Sequence, residues 1–330
     1  MIKRLLKSLL PLYCVFLASY SFGQDPEFSQ YYANPLYLNP AYAGSNICPR
    51  LIMNYRNQWP AISGTYVTYN ASYDQHFDGI SGGLGLLVYN DKAGEGTLNT
   101  TQISLIYSYK FDVSRKFSIR TGLQASYFQR RIDWDKLTFG DMIDRKLGFI
   151  NQTQEVRPSS QTISTPDFSA GIVGYSQDFW AGFAAHHITQ PNEGFLSYAR
   201  LPMKITGHIG GFIPLNGRIG KRRRKLEDPT ISPNILFNKQ QDFTQLNYGF
   251  YFNKYPFVTG IWYRQSFENS DALIVLVGFQ QSAFKFGYSY DVTVSKLSSS
   301  TAGAHELSFT LNFPCRPKRK RLRAIQCPSF

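Results

Sequence analysis

The sequence predicts an all-β protein, a transmembrane antiparallel β-barrel of about 14 strands. Three observations lead to this fold class. Apolar and polar residues alternate with a period of two in many segments, and the chain opens with a basic and then an apolar segment. Aromatic residues make up 16% of the chain although its mean hydropathy is only −0.27. A barrel that is apolar outside and polar inside combines these properties.

The first 23 residues have the three-part organisation of a secretory signal peptide. A basic start is followed by an apolar stretch over 9–17 and then by small and polar residues. We expect cleavage after Gly23, which leaves Gln24 first. A lipoprotein acylated on Cys14 is the alternative, but this cysteine lies inside the apolar stretch. No later segment has the roughly 18 apolar residues that a membrane helix needs.

Alternation is clearest over 283–293, where every even position from Phe284 to Val292 is aromatic or valine and the residues between are polar or glycine. Alternate side chains of a strand point to opposite faces, so this segment has one apolar and one polar face. The same pattern predicts strands at about 50–57, 65–77, 80–91, 98–112, 115–130, 166–177, 178–188, 201–214, 229–239, 242–253, 256–267, 270–281, 283–293 and 302–314. An even number of strands places both ends of the barrel in the periplasm.

The connections between these strands differ in length at the two ends of the barrel. If the first strand starts in the periplasm, the long connections 131–165 and 189–200 face the cell exterior, and most periplasmic connections are tight turns. The exception is 215–228, which contains five consecutive basic residues. The predicted domains are the signal peptide 1–23, an N-terminal extended arm or partial plug 24–49, the outer-membrane barrel 50–314 and a basic periplasmic tail 315–330.

The arm is rich in Tyr, Asn and Pro, and two Asn-Pro pairs restrain its backbone. It either plugs the lumen, lines the periplasmic mouth, or packs on the surface. Three cysteines remain after cleavage of the signal peptide, and the periplasm permits a disulfide. Cys315 and Cys327 lie close together in the tail and are predicted to form the disulfide, which leaves Cys48 without a disulfide partner.

The net charge of +13 is concentrated in the signal peptide, in the run 221–225 and in the tail, so the rest of the chain is near neutral. Export argues against nucleic acid as the target of the basic residues. An acidic partner or lipid phosphate would suit them, and for the run a solvated turn is an equally good interpretation. The candidate partner-binding residues in these two patches are Arg222, Arg223, Arg224, Arg319 and Arg321.

Further candidates lie in the predicted external connections. Trp59 is interpreted either as a membrane-interface anchor or as a binding hot spot. Asp133, Trp134 and Asp135 lie in the longest connection, where Asp141 and Asp144 add two more carboxylates. Calcium could bind such oxygens, but the spacing of an EF-hand is missing, which favours a solvated acidic loop. The adjacent His186 and His187 would face opposite sides of a strand, so no metal site is predicted there.

Several ordered segments of the predicted mature chain carry a family resemblance. They begin with Phe28-Ser29-Gln30-Tyr31, the stretch from Asn34 to Gly44, and Tyr55-Arg56-Asn57-Gln58-Trp59-Pro60. Later ones are Ile132 to Leu137, Pro166 to Gly171, His186 to Asn192, Gly287 to Asp291 and Gly303 to Ser308. In these segments the chain resembles the PorP/SprF family of type IX secretion and gliding-motility outer-membrane proteins of the Bacteroidetes. The basic tail after Phe313 matches no pattern of the family.

The resemblance implies a non-enzymatic role in the outer membrane, with no catalytic residues and no cofactor to carry over. It implies as partners a secreted type IX cargo or adhesin, periplasmic ring or peptidoglycan-associated proteins, and outer-membrane lipid. The alternative function is a diffusion channel or small-solute transporter, since about 14 strands can enclose a lumen. An enzyme would need converging acid, base or nucleophile groups, and no catalytic motif is present.

Overall fold

Fourteen antiparallel strands pair in a closed ring in the part of the chain that the structure describes: residues 24–144, 146–215, 228–266, 270–294 and 302–315. The structure is a computed structural model. Its strands are β1 (Arg50–Gln58), β2 (Tyr66–Phe77), β3 (Gly82–Ala93), β4 (Leu98–Asp112), β5 (Ser118–Ile132), β6 (Ile143–Asp144), β7 (Gly148–Phe149), β8 (Thr162–Tyr175), β9 (Phe179–His186), β10 (Lys204–Gly211), β11 (Ile213–Pro214), β12 (Thr230–Gln240), β13 (Phe243–Lys254), β14 (Phe257–Ser266), β15 (Ser270–Gln280), β16 (Phe284–Thr293) and β17 (Ala304–Asn312). β6 and β7 form a separate hairpin, and β11 extends β10, so the other strands form the wall.

The ring closes where β1 pairs with β17, with Arg50 opposite Asn312. On the opposite side of the ring β10 pairs directly with β12, although β11 lies between them in sequence. The predicted antiparallel barrel of 14 strands is therefore confirmed, and each predicted strand overlaps a strand of the wall. The predicted strand 201–214 begins at Lys204 and is interrupted at Phe212, whose ring packs against Trp180 with centroids 4.8 Å apart.

The wall has a polar inner face and an apolar outer face. On β4 the side chains of Gln102 and Ser104 are buried inside, whereas Ile103 and Leu105 are 46% and 68% exposed outside. An apolar outer surface is what contact with lipid requires of a barrel. No helix in the described residues has the length and apolar character needed to cross a membrane.

The two ends of the barrel differ in their connections. At the end where β1 begins and β17 ends, here called the terminal side, hairpins such as 176–178 and 281–283 are tight. The opposite end, here called the loop side, carries the long connections 133–161 and 187–203. Barrels of this class direct their long loops outward, so we expect the loop side to face the cell exterior.

The disulfide joins Cys48 to Cys315, so the predicted pairing of Cys315 with Cys327 is wrong. Cys48 precedes β1 and Cys315 follows β17, and these strands are neighbours only because the sheet closes on itself. The two Cα atoms are 5.4 Å apart although the cysteines are 267 residues apart in sequence. Proximity along the chain was therefore the wrong criterion. Cys327 lies outside the described residues.

Replacing both Cys48 and Cys315 by serine is expected to destabilise the barrel by about 2–4 kcal/mol, since the disulfide closes a very long loop. Denaturant unfolding of the protein in lipid vesicles, followed by the heat-modifiable migration of the folded barrel on gels, measures this loss. Cys327→Ser is the matched control, and it should leave the unfolding midpoint unchanged. Equal midpoints for the double variant and the control would contradict the prediction.

Residues 24–49, here called the arm, run through the inside of the ring. The arm is less extended than the sequence predicted, because it contains the short helical turns Tyr31–Ala33, Pro35–Leu38 and Pro40–Tyr42. Pro35 and Pro40 each stand at the first position of a turn, where the missing N–H costs nothing. Apolar side chains of the arm pack with others from the wall, and this cluster includes Leu36, Leu38, Ala41, Trp180, Trp262 and Ile274.

Candidate functional site

A buried charge cluster holds the start of the arm against the wall at the loop side. Arg56 of β1 pairs with Asp291 of β16 at 2.9 Å and with Glu306 of β17 at 3.2 Å. Arg264 of β14 lies 3.0 Å from the same oxygen of Asp291. The hydroxyl of Ser29 donates to this oxygen at 2.6 Å and accepts from Arg56 at 2.7 Å. The arm thus completes an ionic network that spans four strands.

Glu306 also binds the backbone of the arm. Its carboxylate accepts from the N–H groups of Ser29 at 2.6 Å and of Gln30 at 3.1 Å. The amide of Gln30 donates back to the carbonyl oxygen of Glu306 at 3.0 Å. Glu306 is fully buried, so each of these bonds replaces one that water would otherwise supply.

A second cluster on the opposite wall holds the first residues of the arm. The ring of His187 lies 2.8 Å from the carboxylates of both Asp25 and Asp167. His186 is the last residue of β9, and His187 follows it with a φ of 55°, outside the strand. The expectation that His186 and His187 face opposite sides of one strand therefore does not apply. Burial by itself would lower the pKa of His187, but Asp25 and Asp167 outweigh this effect and raise it to about 10. The imidazolium therefore bridges arm and wall at neutral pH.

The other end of the arm is fixed at the terminal side. The N–H of Gly44 donates to Asp74 at 2.9 Å, and Asp74 also pairs with Arg50 at 2.9 Å. Arg120 donates to the carbonyl oxygens of Ala43 and Gly44, both at 2.8 Å. Charged side chains of the wall therefore hold both ends of the arm.

Glycines of the wall make room for the arm between these anchors. A methyl group added to Gly122 would overlap the backbone of Pro40 and Ala41, and one added to Gly83 would overlap Ala43 and Gly44. In the described residues the cavities beside the arm hold about 30 and 20 Å³. Each has room for a water molecule or two. Between its anchors the arm therefore packs closely against the wall.

The loop side carries an apolar surface outside the strands of the wall. Several exposed apolar side chains of this surface belong to the connection 133–161, in and beside the hairpin of β6 and β7. We call them the crest: Ile143, Leu147, Phe149, Ile150 and Val156, which are 50–74% exposed. Leu196 and Tyr198 in the connection 187–203 are each 66% exposed. Grouped apolar side chains outside the lipid-facing wall are typical of surfaces that bind other proteins.

Polar contacts within the loop order the connection that bears the crest. Asp141 accepts from the hydroxyl of Thr153 at 2.9 Å and from the N–H of Gln154 at 2.7 Å. The N–H of Gln154 is the main cause that lowers the pKa of Asp141. Asp144 accepts from the N–H groups of Lys146 and Leu147. Both carboxylates thus bond to other groups of the same loop.

The candidate residues of this loop lie on one short turn. Asp133 lies 3.8 Å from Lys136, and Asp135 pairs with Arg157 at 3.2 Å. The ring of Trp134 packs against Phe139 in a tilted arrangement, with ring centroids 4.9 Å apart. In the described residues no group of three His, Cys, Asp or Glu side chains is placed to hold a metal ion.

Trp59 lies on a different loop-side connection, between β1 and β2. Its N–H donates to the carbonyl oxygen of Gly303 at 2.8 Å, and its ring meets the edge of Tyr66. The structure therefore places Trp59 and the 133–135 turn at the same end of the barrel but on separate connections. Arg222, Arg223, Arg224, Arg319 and Arg321 lie outside the described residues, as does the predicted signal peptide.

Sequence reasoning missed the residues that hold the arm. Arg56, Asp291 and Glu306 occupy the polar face of strands whose other face is apolar, and alternation alone could have assigned them to the lumen. It could not have paired them, because their strands are brought together only by closure of the barrel. The crest was missed as well, although Leu147, Phe149 and Ile150 form a short apolar run in a predicted external loop.

Comparisons with known proteins agree with this architecture. The family model described as "Type IX secretion system membrane protein PorP/SprF" matches residues 20–311. No curated protein matches the chain. Among solved structures, the toluene transporter TbuX of Ralstonia pickettii has a TM-score of 0.50 at 9% identity and covers 84% of this chain and 93% of its own.

Two further solved structures are similar at lower scores. Omp33 of Acinetobacter baumannii has a TM-score of 0.45 at 6% identity, covering 81% of this chain and 99% of its own. A FadL homologue of Pseudomonas aeruginosa has a TM-score of 0.43 at 14% identity, covering 84% of this chain and 93% of its own. The likeness to TbuX shows the fold alone, and the family match and the barrel place the chain in the outer membrane. The chain belongs to the PorP/SprF family of type IX secretion system membrane proteins.

Proposed function

We propose that this barrel is a non-enzymatic docking component of the type IX secretion and gliding machinery. Its loop-side surface would hold a secreted surface protein, such as an adhesin, at the cell exterior. The observation that carries the proposal is the apolar crest on an ordered loop, above a lumen that the arm runs through and packs against. A transporter would need an open water path, whereas an anchor needs a rigid body and an exposed adhesive surface.

The terminal side has a complementary role in this proposal. The described residues that flank the basic run 221–225, and Cys315 before the basic tail, lie at that side, which faces the periplasm if the loops face outward. There the basic run and the tail would contact acidic surfaces of periplasmic ring or peptidoglycan-associated proteins, or lipid phosphate. Contacts of this kind weaken as salt is raised, whereas apolar contacts at the crest would persist.

Mutation of the crest tests the docking role. The triple variant Leu147→Ser, Phe149→Ser, Ile150→Ser is expected to reduce co-purification of the secreted partner from gently solubilised outer membranes by at least about tenfold, since roughly 1.5–3 kcal/mol is lost per large apolar side chain that binding would bury. Quantitative mass spectrometry of the purified complex measures the loss. The matched control is Val113→Ser, which removes an apolar side chain that is 61% exposed at the terminal side.

Two results would count against docking. One is recovery of the unmodified barrel without any secreted or periplasmic protein under gentle conditions. The other is partner recovery with the triple variant equal to that with Val113→Ser. Steady single-channel currents from the unmodified protein in a planar bilayer would instead favour the alternative, a diffusion channel or small-solute transporter.

A further inference from the structure

The arm begins at the loop side of the lumen, at the opposite end from its junction with β1. The N–H of Asp25 donates at 3.1 Å to the side chain of Gln240, the last residue of β12 at the loop side. The carboxylate of Asp25 contacts His187, which follows the loop-side end of β9, and lies 4.0 Å from Lys204, the first residue of β10. Gln24 is exposed at this mouth of the lumen.

The arm ends at the terminal side. Gly44 and Arg50 both bind Asp74, near the terminal-side end of β2. Between Asp25 and Gly44 the chain therefore crosses the lumen from one mouth to the other. The anchors along this path are buried, including Ser29 and Gln30 at the charge cluster and Ala43 beside Arg120.

We infer that the amino terminus of the mature protein is exposed on the outside of the cell, while both ends of the barrel wall lie on the periplasmic side. A chain still held by its signal peptide at the inner membrane has Gln24 tethered on the periplasmic side. With the arm seated, the segment before Gln24 would have to run back through the lumen beside the arm, which packs closely against the wall. Removal of the signal peptide therefore precedes seating of the arm.

Cysteine labelling in whole cells tests this topology. Gln24→Cys is made in the Cys327→Ser background, with the disulfide of Cys48 and Cys315 kept, and is treated with a membrane-impermeant biotin maleimide. Leu147→Cys, 72% exposed in the external loop, is the outside control. Ser282→Cys, exposed in a terminal-side turn, is the periplasmic control. Pro26→Cys serves as a second reporter if residue 24 affects signal-peptide cleavage.

We expect the arm reporter to be labelled in intact cells to within about twofold of Leu147→Cys and at least about tenfold more than Ser282→Cys. Labelling of the arm reporter only after the outer membrane is permeabilised, with Leu147→Cys labelled in intact cells, would overturn the path of the arm. Labelling of Ser282→Cys but not Leu147→Cys in intact cells would overturn the orientation of the barrel, and the inference with it.

Discussion

Deletion of residues 25–44 is expected to convert a non-conducting barrel into one that carries steady ion currents. These residues pack against the wall inside the lumen, and two cavities beside them hold about 30 and 20 Å³. Barrels of eight strands are filled by their own side chains, whereas those of sixteen or more leave an aqueous channel. A wall of 14 strands without its arm therefore has space for water and ions. Single-channel recording in planar bilayers measures the change.

A point variant separates loss of the arm from loss of the fold. Gly122→Leu places a side chain where Pro40 and Ala41 of the arm lie, so it should displace the arm and produce intermittent currents from an otherwise intact wall. Gly207→Leu is the matched control, because an added Cβ at this strand position meets nothing within 4 Å. Currents of equal size from the unmodified protein and the deletion would show that the arm does not close the lumen.

Replacement of Asp291 by alanine is expected to destabilise the folded barrel by about 3–5 kcal/mol, because it leaves two buried guanidinium groups short of a partner. Arg56 and Arg264 both pair with this carboxylate, and the hydroxyl of Ser29 donates to it. Its removal should also loosen the start of the arm. Unfolding by guanidinium chloride in lipid vesicles measures the stability of the barrel, and limited proteolysis measures release of the arm.

An exposed ion pair provides the comparison for Asp291→Ala. Asp135 pairs with Arg157 on the external loop, with side chains 73% and 50% exposed. Asp135→Ala should change the stability by less than about 1 kcal/mol, because solvent screens the pair. If the two variants unfold at the same denaturant concentration, the network around Asp291 contributes nothing special to the fold.

Local periodicity was sufficient to predict the strands of this protein. The segment 283–293 alternates so regularly that the observed strand, Phe284–Thr293, differs from the prediction by a single residue. Each strand of a barrel faces lipid on one side and the lumen on the other, so the choice between an apolar and a polar residue is constrained at every position. The fold class and the number of strands follow from such local information.

The contacts that depend on closure of the barrel were not predictable in the same way. The pairing of Cys48 with Cys315 and that of Arg56 with Glu306 both join the first strand region to the last. Nothing in their neighbouring residues indicates the partner. Gly83 illustrates the same limit: it falls in the predicted strand 80–91, but in the folded chain it also makes room for Ala43.

The packing of the arm has a consequence for how relatives of this protein can diverge. A porin can change the residues that line its pore with little effect on folding, because water adapts to them. Here a lumenal residue such as Gly122 touches protein, and an outward residue such as Leu105 touches lipid, so most wall positions are constrained from one side or the other. Freedom to vary remains at the tips of the connections. If the proposed docking role holds, relatives with different partners would keep a similar barrel body and differ mainly in their loop-side connections.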